Sequence, residues 1–132
     1  MNIKSSQTLV EEAKKSIETL SASEAKKLLD KQEITLIDVR DIRELWKEGT
    51  VQNSMHIPRG MLEFWLDPES SYYKANQIKD IKKMVLFCAL GLRSALATKS
   101  LKDMGFENVA HVDGGFDSLK KSGFKVIKKE KK

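Results

Sequence analysis

Lys83-Met84-Val85-Leu86-Phe87-Cys88-Ala89-Leu90-Gly91-Leu92-Arg93-Ser94-Ala95-Leu96-Ala97-Thr98 changes its periodicity halfway along. The four apolar residues Met84 to Phe87 are too few for an ordinary helix. They read as a strand buried on both faces, as in a parallel sheet. From Arg93 onward Ala97, Leu101 and Met104 fall on one helical stripe, and Gly105 stands where a glycine ends a helix. Between strand and helix a six-residue loop, Cys88 to Arg93, holds the one cysteine of the chain. Such a joint turns backbone N–H groups and the positive end of a helix toward whatever sits in its mouth. Here that is a thiol, so the joint favours a thiolate and any anion attached to it. A free cysteine is only ~3% thiolate at neutral pH, and an electropositive loop with a neighbouring arginine raises that share. The competing reading is a small core residue, the commoner fate of a lone cysteine. Its place directly after a strand, with Gly91 and Arg93 following, favours the reactive thiol.

Working outward, strands and helices alternate. Ile34 to Val39 is the next apolar run, ending at Asp38, whose carboxylate can pair with Arg40 or accept loop N–H groups. Structural pairing is the preferred reading, because charges buried near a loop are normally paired. Ser21-Ala22-Ser23-Glu24 is a capping box that opens a helix to about Lys31, and Asp41-Ile42-Arg43-Glu44 opens another that stops at Gly49. Met55 to Ile57 reads as a brief strand. The Gly60–Trp65 segment, dense in large apolar groups, reads as core packing, with a cleft wall rimmed by Arg59 as the alternative. Asn108 to Val112 forms a final strand that Asp113-Gly114-Gly115 turns into a helix, Phe116 to Lys121. Residues 1–16 hold an additional helix capped from Thr8 to Glu11, and Ile17 to Leu20 is an edge strand. This alternation predicts an α/β fold: a central, mostly parallel five-stranded sheet with helices on both faces, plus the N-terminal helix. The domain is expected over 17–124, after an extension over 1–16 and before a flexible basic tail over 125–132.

Composition narrows the function classes. One cysteine excludes an internal disulfide, a Cys-x-x-Cys redox pair and a cysteine-based zinc site. His56 and His111 are the only histidines and lie far apart. They read as surface or strand-end residues, and no metal is expected. The net charge is +5, of which the last eight residues carry +4. The body has no basic stripe interleaved with aromatics, so no nucleic-acid partner is expected. No apolar run approaches the ~20 residues of a membrane span, and the N-terminus lacks the apolar run of a signal peptide. The expectation is a cytoplasmic protein without a membrane partner, a compartment that keeps a thiol reduced.

Cys88-Ala89-Leu90-Gly91-Leu92-Arg93-Ser94 resembles the active-site loop of single-domain rhodaneses, an α/β family of sulfurtransferases. Three further pieces occur in the family's order: Leu36-Ile37-Asp38-Val39-Arg40 with Glu44, the Pro58–Trp65 segment, and His111-Val112-Asp113-Gly114-Gly115-Phe116. Gly49 to Ser54 and Leu119 depart from the family's usual turn and tryptophan. The resemblance implies that Cys88 attacks the outer sulfur of a donor such as thiosulfate or a persulfide. A Cys88 persulfide is then the covalent intermediate, with no cofactor. It implies a thiophilic acceptor (a thiol, a cyanide-like ion or a protein) and a binding loop made of Ala89, Leu90, Gly91, Leu92 and Arg93. The amides of residues 89 to 93 would surround the transferred sulfur as an oxyanion hole does, and Arg93 would close the loop and hold a sulfonate with paired donors. Leu90 and Leu92 bring no further cation to the mouth, so weak activity on thiosulfate is expected. Two alternatives stand beside this reading. Phosphatases and arsenate reductases of similar fold place five residues between cysteine and arginine, whereas Ala89 to Leu92 are four. A non-catalytic module for protein contacts or sulfur sensing is the other.

Overall fold

The computed structural model describes residues 2–131 of the chain. Its strands are β1 (Glu18–Leu20), β2 (Ile34–Asp38), β3 (Thr50–Val51), β4 (Met55–His56), β5 (Lys83–Phe87), β6 (Val109–Val112) and β7 (Val126–Ile127). Five of them pair in the order β1-β6-β5-β2-β4, every pair parallel. The run Met84 to Phe87 thus lies at the centre of the sheet and is fully buried. The helices are α1 (Ser6–Lys14), α2 (Ala22–Asp30), α3 (Ile42–Glu48), α4 (Leu62–Leu66), α5 (Ala75–Ile78), α6 (Leu92–Met104) and α7 (Gly115–Lys121). Among the described residues no helix is long and apolar enough to cross a membrane.

The period of two along each strand divides the core into two layers. Leu36, Val85, Phe87, Ala110 and Val112 pack with Ala25, Phe116 and Leu119 on the side of α2 and α7. Ile37, Val39, Leu86, Cys88 and Val109 pack with Leu62, Leu66, Ala97 and Leu101 on the side of α4 and α6. Helix α1 lies outside, against α6. The chain leaves β2 toward β4 on one side of the sheet and leaves β5 toward β6 on the other. The loops after β2 and β5 therefore diverge and open a crevice at the C-terminal ends of the two central strands, where open α/β sheets bind ligands.

Local signals act largely as expected. Ser21 and Asp41 both complete capping boxes, with Glu24 and Glu44 reaching back to the cap N–H. Gly105 ends α6 in the left-handed conformation at φ 108°. The cap of α1 is Ser5 rather than Thr8: the N–H of Thr8 donates to Ser5 Oγ, so the helix begins one turn earlier than expected. The 125–132 segment begins as structure instead of a free tail, because Val126 and Ile127 pair antiparallel with Val51 and Thr50. In the Gly60–Trp65 segment Leu62 is buried, but Phe64 is largely exposed and meets Tyr72 edge-on at 6.4 Å. Core packing holds for half of that stretch only, because a short amphipathic helix has an outer face.

Candidate active site

Cys88 follows the last residue of β5, and α6 begins at Leu92, so the loop between them is short and its glycine is decisive. Gly91 adopts φ 100°, and a Cβ on it would lie 3.2 Å from the N atom of Gly114. With the chain turned this way, two amides converge on the sulfur. The N–H of Gly91 donates to Cys88 Sγ at 3.2 Å and that of Ser94 at 3.3 Å. Ser94 is the third residue of α6, and its N–H is one of the four that a helix start leaves without an intrahelical partner. The sulfur therefore occupies the place of a capping oxygen, where partial positive charge stabilises an anion. Cys88 is also 1% exposed and part of the apolar layer beside α6. The residue is buried and its sulfur is hydrogen-bonded, so both features weighed in the sequence coexist.

The loop is held from the far side by the Asp113-Gly114-Gly115 turn. The N–H of Phe116 donates to the Cys88 carbonyl at 2.7 Å and that of Asp117 to the Ala89 carbonyl at 3.3 Å. Gly115 has φ 58°, and a Cβ there would come within 2.4 Å of the Cys88 carbonyl oxygen. Only glycine allows this approach. The remaining loop positions point outward: Leu90 is 64% and Leu92 56% exposed, and Ala89 is half-buried.

Arg93 lies at the mouth, but its fork is already filled. Nη1 donates to Glu44 Oε1 at 2.7 Å and Nη2 to Oε2 at 3.0 Å. This corrects the expectation that the paired donors stand ready for a sulfonate. The physical reason is the crevice itself, which brings the first turn of α3 opposite the first turn of α6. The bond from Arg93 holds the Glu44 carboxyl below its ordinary range, and the same bond raises Arg93. Beneath this pair Asp38 and Arg40 form a fully buried ion pair. The Asp38 carboxylate accepts from Arg40 Nε at 3.0 Å, from Nη2 at 2.9 Å and from Thr50 Oγ1 at 2.7 Å. The Arg40 guanidinium lies 4.0 Å from the Phe116 ring centre.

Two residues absent from the expected site continue from the sulfur, Ser94 touching it and His111 touching Ser94. Ser94 Oγ lies 3.5 Å from Cys88 Sγ and 3.2 Å from His111 Nδ1, and His111 Nε2 lies 3.0 Å from Thr19 Oγ1. His111 was expected at the surface or at a strand end; it is fully buried inside β6. The alternation that turns Val109 toward α6 turns His111 the same way, and its register partner in β5 is Leu86, two residues before Cys88. His56 ends β4, with Nε2 donating to the Arg40 carbonyl at 2.8 Å.

Burial, reinforced by Lys14 and opposed by Asp113, pushes His111 down from 6.5 to about 4, so it is neutral at pH 7. An unfolded chain protonates this histidine as pH falls from about 6.5 toward 4, while the folded chain does not. Its contribution to stability is therefore complete above that window and decreases as pH falls through it, by on the order of 3 kcal/mol. Urea unfolding at neutral pH and near the lower end of the window is expected to show this loss, and His111→Gln is expected to flatten it.

The chain matches the family model described as rhodanese-like domain over residues 21–122. A protein of unknown function from Rhodopseudomonas palustris, described as a possible tyrosine phosphatase, superposes with TM-score 0.88 at 40% identity, covering 96% of this chain and 97% of that one. The polysulfide-sulfur transferase of Wolinella succinogenes, solved as a homodimer, superposes with TM-score 0.70 at 35% identity, covering 93% and 87%. Rhodanese-like domain-containing protein 17 of Arabidopsis thaliana is 33% identical over 108 residues, 74% of this chain and 65% of that protein. The chain spans 57 to 65% of the length of the curated rhodanese-like relatives it matches.

Proposed function

The chain belongs to the rhodanese-like domain family, and from that premise we propose that it is a sulfurtransferase working through a persulfide on Cys88. The observation that carries the proposal is the pair of main-chain N–H groups, from Gly91 and Ser94, directed at Cys88 Sγ. In the first half-reaction the Cys88 thiolate attacks the outer sulfur of the donor. The new S–S bond forms as the donor's own bond to that sulfur breaks, and the leaving group departs as sulfite or a thiolate. In the second half a thiophilic acceptor, a small thiol or a thiol on a protein, takes the outer sulfur and regenerates the thiolate. Splitting the transfer in this way gives ping-pong kinetics. The N–H groups of Ala89, Leu90, Leu92 and Arg93 are the proposed cradle for the outer sulfur, whose charge they stabilise without reorganising. With no second cysteine in the chain, the sulfur is handed outward instead of being released by an internal disulfide.

Mass spectrometry after exposure to thiosulfate, polysulfide and a low-molecular-weight persulfide tests the proposal. The expected result is the gain of one sulfur on Cys88 that cyanide removes. Hydrolysis of an aryl phosphate, dependent on Cys88 and without sulfur gain, would instead favour the phosphatase description of the Rhodopseudomonas neighbour. No gain from any donor and no hydrolysis would favour a binding module.

Donor preference follows from Arg93. Its guanidinium is neutralised by Glu44, so a dianionic donor finds no free cation in the loop. Glu44→Gln keeps an acceptor for the cap N–H of α3 while removing the charge. The pair is partly exposed, so the gain is modest: the KM for thiosulfate is expected to fall about three- to fivefold. Activity with a neutral persulfide donor is expected to stay within about twofold. Steady-state kinetics with the two donors checks both.

A further inference from the structure

Cys88 is 1% exposed, and the loop side of its sulfur is taken by two N–H donors. A thiol in that position has to lose its proton before it can act, and no amide can accept one. The groups that can are on the other side. Ser94 Oγ, His111 and Thr19 Oγ1 continue from the sulfur in an unbroken series of contacts of 3.5, 3.2 and 3.0 Å. Ser94 and His111 are fully buried, whereas Thr19, on the edge strand β1, is exposed. We propose that Ser94, His111 and Thr19 form a proton relay that carries the Cys88 proton to solvent at the sheet edge, reversing the tautomer of His111 as it does so.

Each group gains one hydrogen and loses another. In the thiol state the S–H donates to Ser94 Oγ, the Ser94 hydroxyl donates to His111 Nδ1, and His111 Nε2–H donates to Thr19 Oγ1. On ionisation the S–H bond breaks and an O–H bond forms at Ser94, whose former hydroxyl hydrogen moves to Nδ1. The Nε2–H bond breaks as an O–H bond forms at Thr19, whose former hydroxyl hydrogen passes to water. The thiolate remains, one proton has left, and nothing is oxidised or reduced. In the final state Nδ1–H donates to Ser94 Oγ, and the Ser94 hydroxyl donates to the thiolate. Running the relay therefore also adds a third hydrogen bond to the anion, of the charge-assisted kind. A neutral imidazole is required, and burial keeps it so. The charged groups around the relay are Lys14 on α1 and Asp113 after β6, which act on His111, and Arg93, which acts on the sulfur and is paired with Glu44. Ser94 touches the reacting sulfur itself, whereas His111 and Thr19 act through Ser94 and are positioning residues.

The chain has two histidines, so ¹⁵N NMR of the imidazoles reads the relay directly in the unaltered protein. His56 donates from Nε2 to the Arg40 carbonyl and lies outside the relay. As Cys88 ionises with rising pH, the His111 signals are expected to exchange, Nε2–H giving way to Nδ1–H. Cys88→Ser is expected to abolish the exchange. Thr19→Val, an exposed change that leaves the core intact, is expected to hold His111 in one tautomer and to slow sulfur loading at neutral pH about fivefold, the loss of roughly one hydrogen bond. A His111 tautomer that does not follow ionisation, or a Thr19→Val protein that loads at the wild-type rate, would overturn the relay. The relay deepens the sulfurtransferase reading, but the two fail separately. Persulfide formation with a fixed tautomer removes the relay alone, and a tautomer that follows ionisation without any sulfur gain removes only the transferase.

Discussion

Cys88→Ser is expected to reduce sulfur transfer by at least about a thousandfold with every donor, while leaving the fold in place. Serine is nearly the same shape, and its oxygen can accept the N–H groups of Gly91 and Ser94 that now reach the sulfur. What is lost is the anion: a hydroxyl at neutral pH supplies almost none, and oxygen cannot stand in as the first atom of a persulfide. The measurement is a donor–acceptor assay run beside thermal unfolding. An unchanged midpoint with activity gone separates loss of the nucleophile from loss of structure. Residual turnover above about one per cent would mean that the sulfur is carried elsewhere.

Asp38→Ala is expected to destabilise the protein by about 3–5 kcal/mol, a large part of the 5–15 kcal/mol that typically holds a domain together. Arg40 is wholly buried, and one of its terminal nitrogens, Nη1, already lacks a hydrogen-bond partner. Removing the carboxylate leaves the guanidinium with one hydrogen-bond acceptor, the Gly49 backbone carbonyl 2.7 Å from Nη2. The cost is that of an uncompensated buried charge rather than of a missing contact. Replacing both members with apolar residues of similar volume, for example Asp38→Leu with Arg40→Met, is expected to recover most of the loss. Urea unfolding of the two proteins distinguishes these cases. The damage is also expected to reach the loop: Arg40 stacks on Phe116, whose N–H holds the Cys88 carbonyl.

What could be read in the sequence was local. The change of period at Cys88, the boxes at Ser21 and Asp41 and the glycine that ends α6 at 105 are signals whose partners lie a few residues away or in the same turn. The misread positions take their meaning from distant partners. His111 is a polar residue in an apolar strand, and only Ser94, 17 residues before it, and Thr19, 92 before it, satisfy its ring. Its spacing from Val109 was the available sign, since a period of two sets it on the face that carries Cys88. The fork of Arg93 looked free because Glu44 is 49 residues earlier. At the C-terminus, Val126 and Ile127 are too short a run to show any period, and the lysines around them disguise a strand that exists only because β3 offers an unpaired edge.

Leu90 and Leu92 stand at the lip of the loop with most of their surfaces in water. A molecule reaching the sulfur must first strip that water away, and the neighbouring Arg93–Glu44 pair offers it no net field. Attraction from afar therefore contributes little here, and recognition begins at contact. Raising the ionic strength from dilute to physiological is expected to change the capture rate of an anionic donor such as thiosulfate far less than it would in a loop lined with free cations. Greasy, weakly charged carriers of sulfur gain most from such an entrance.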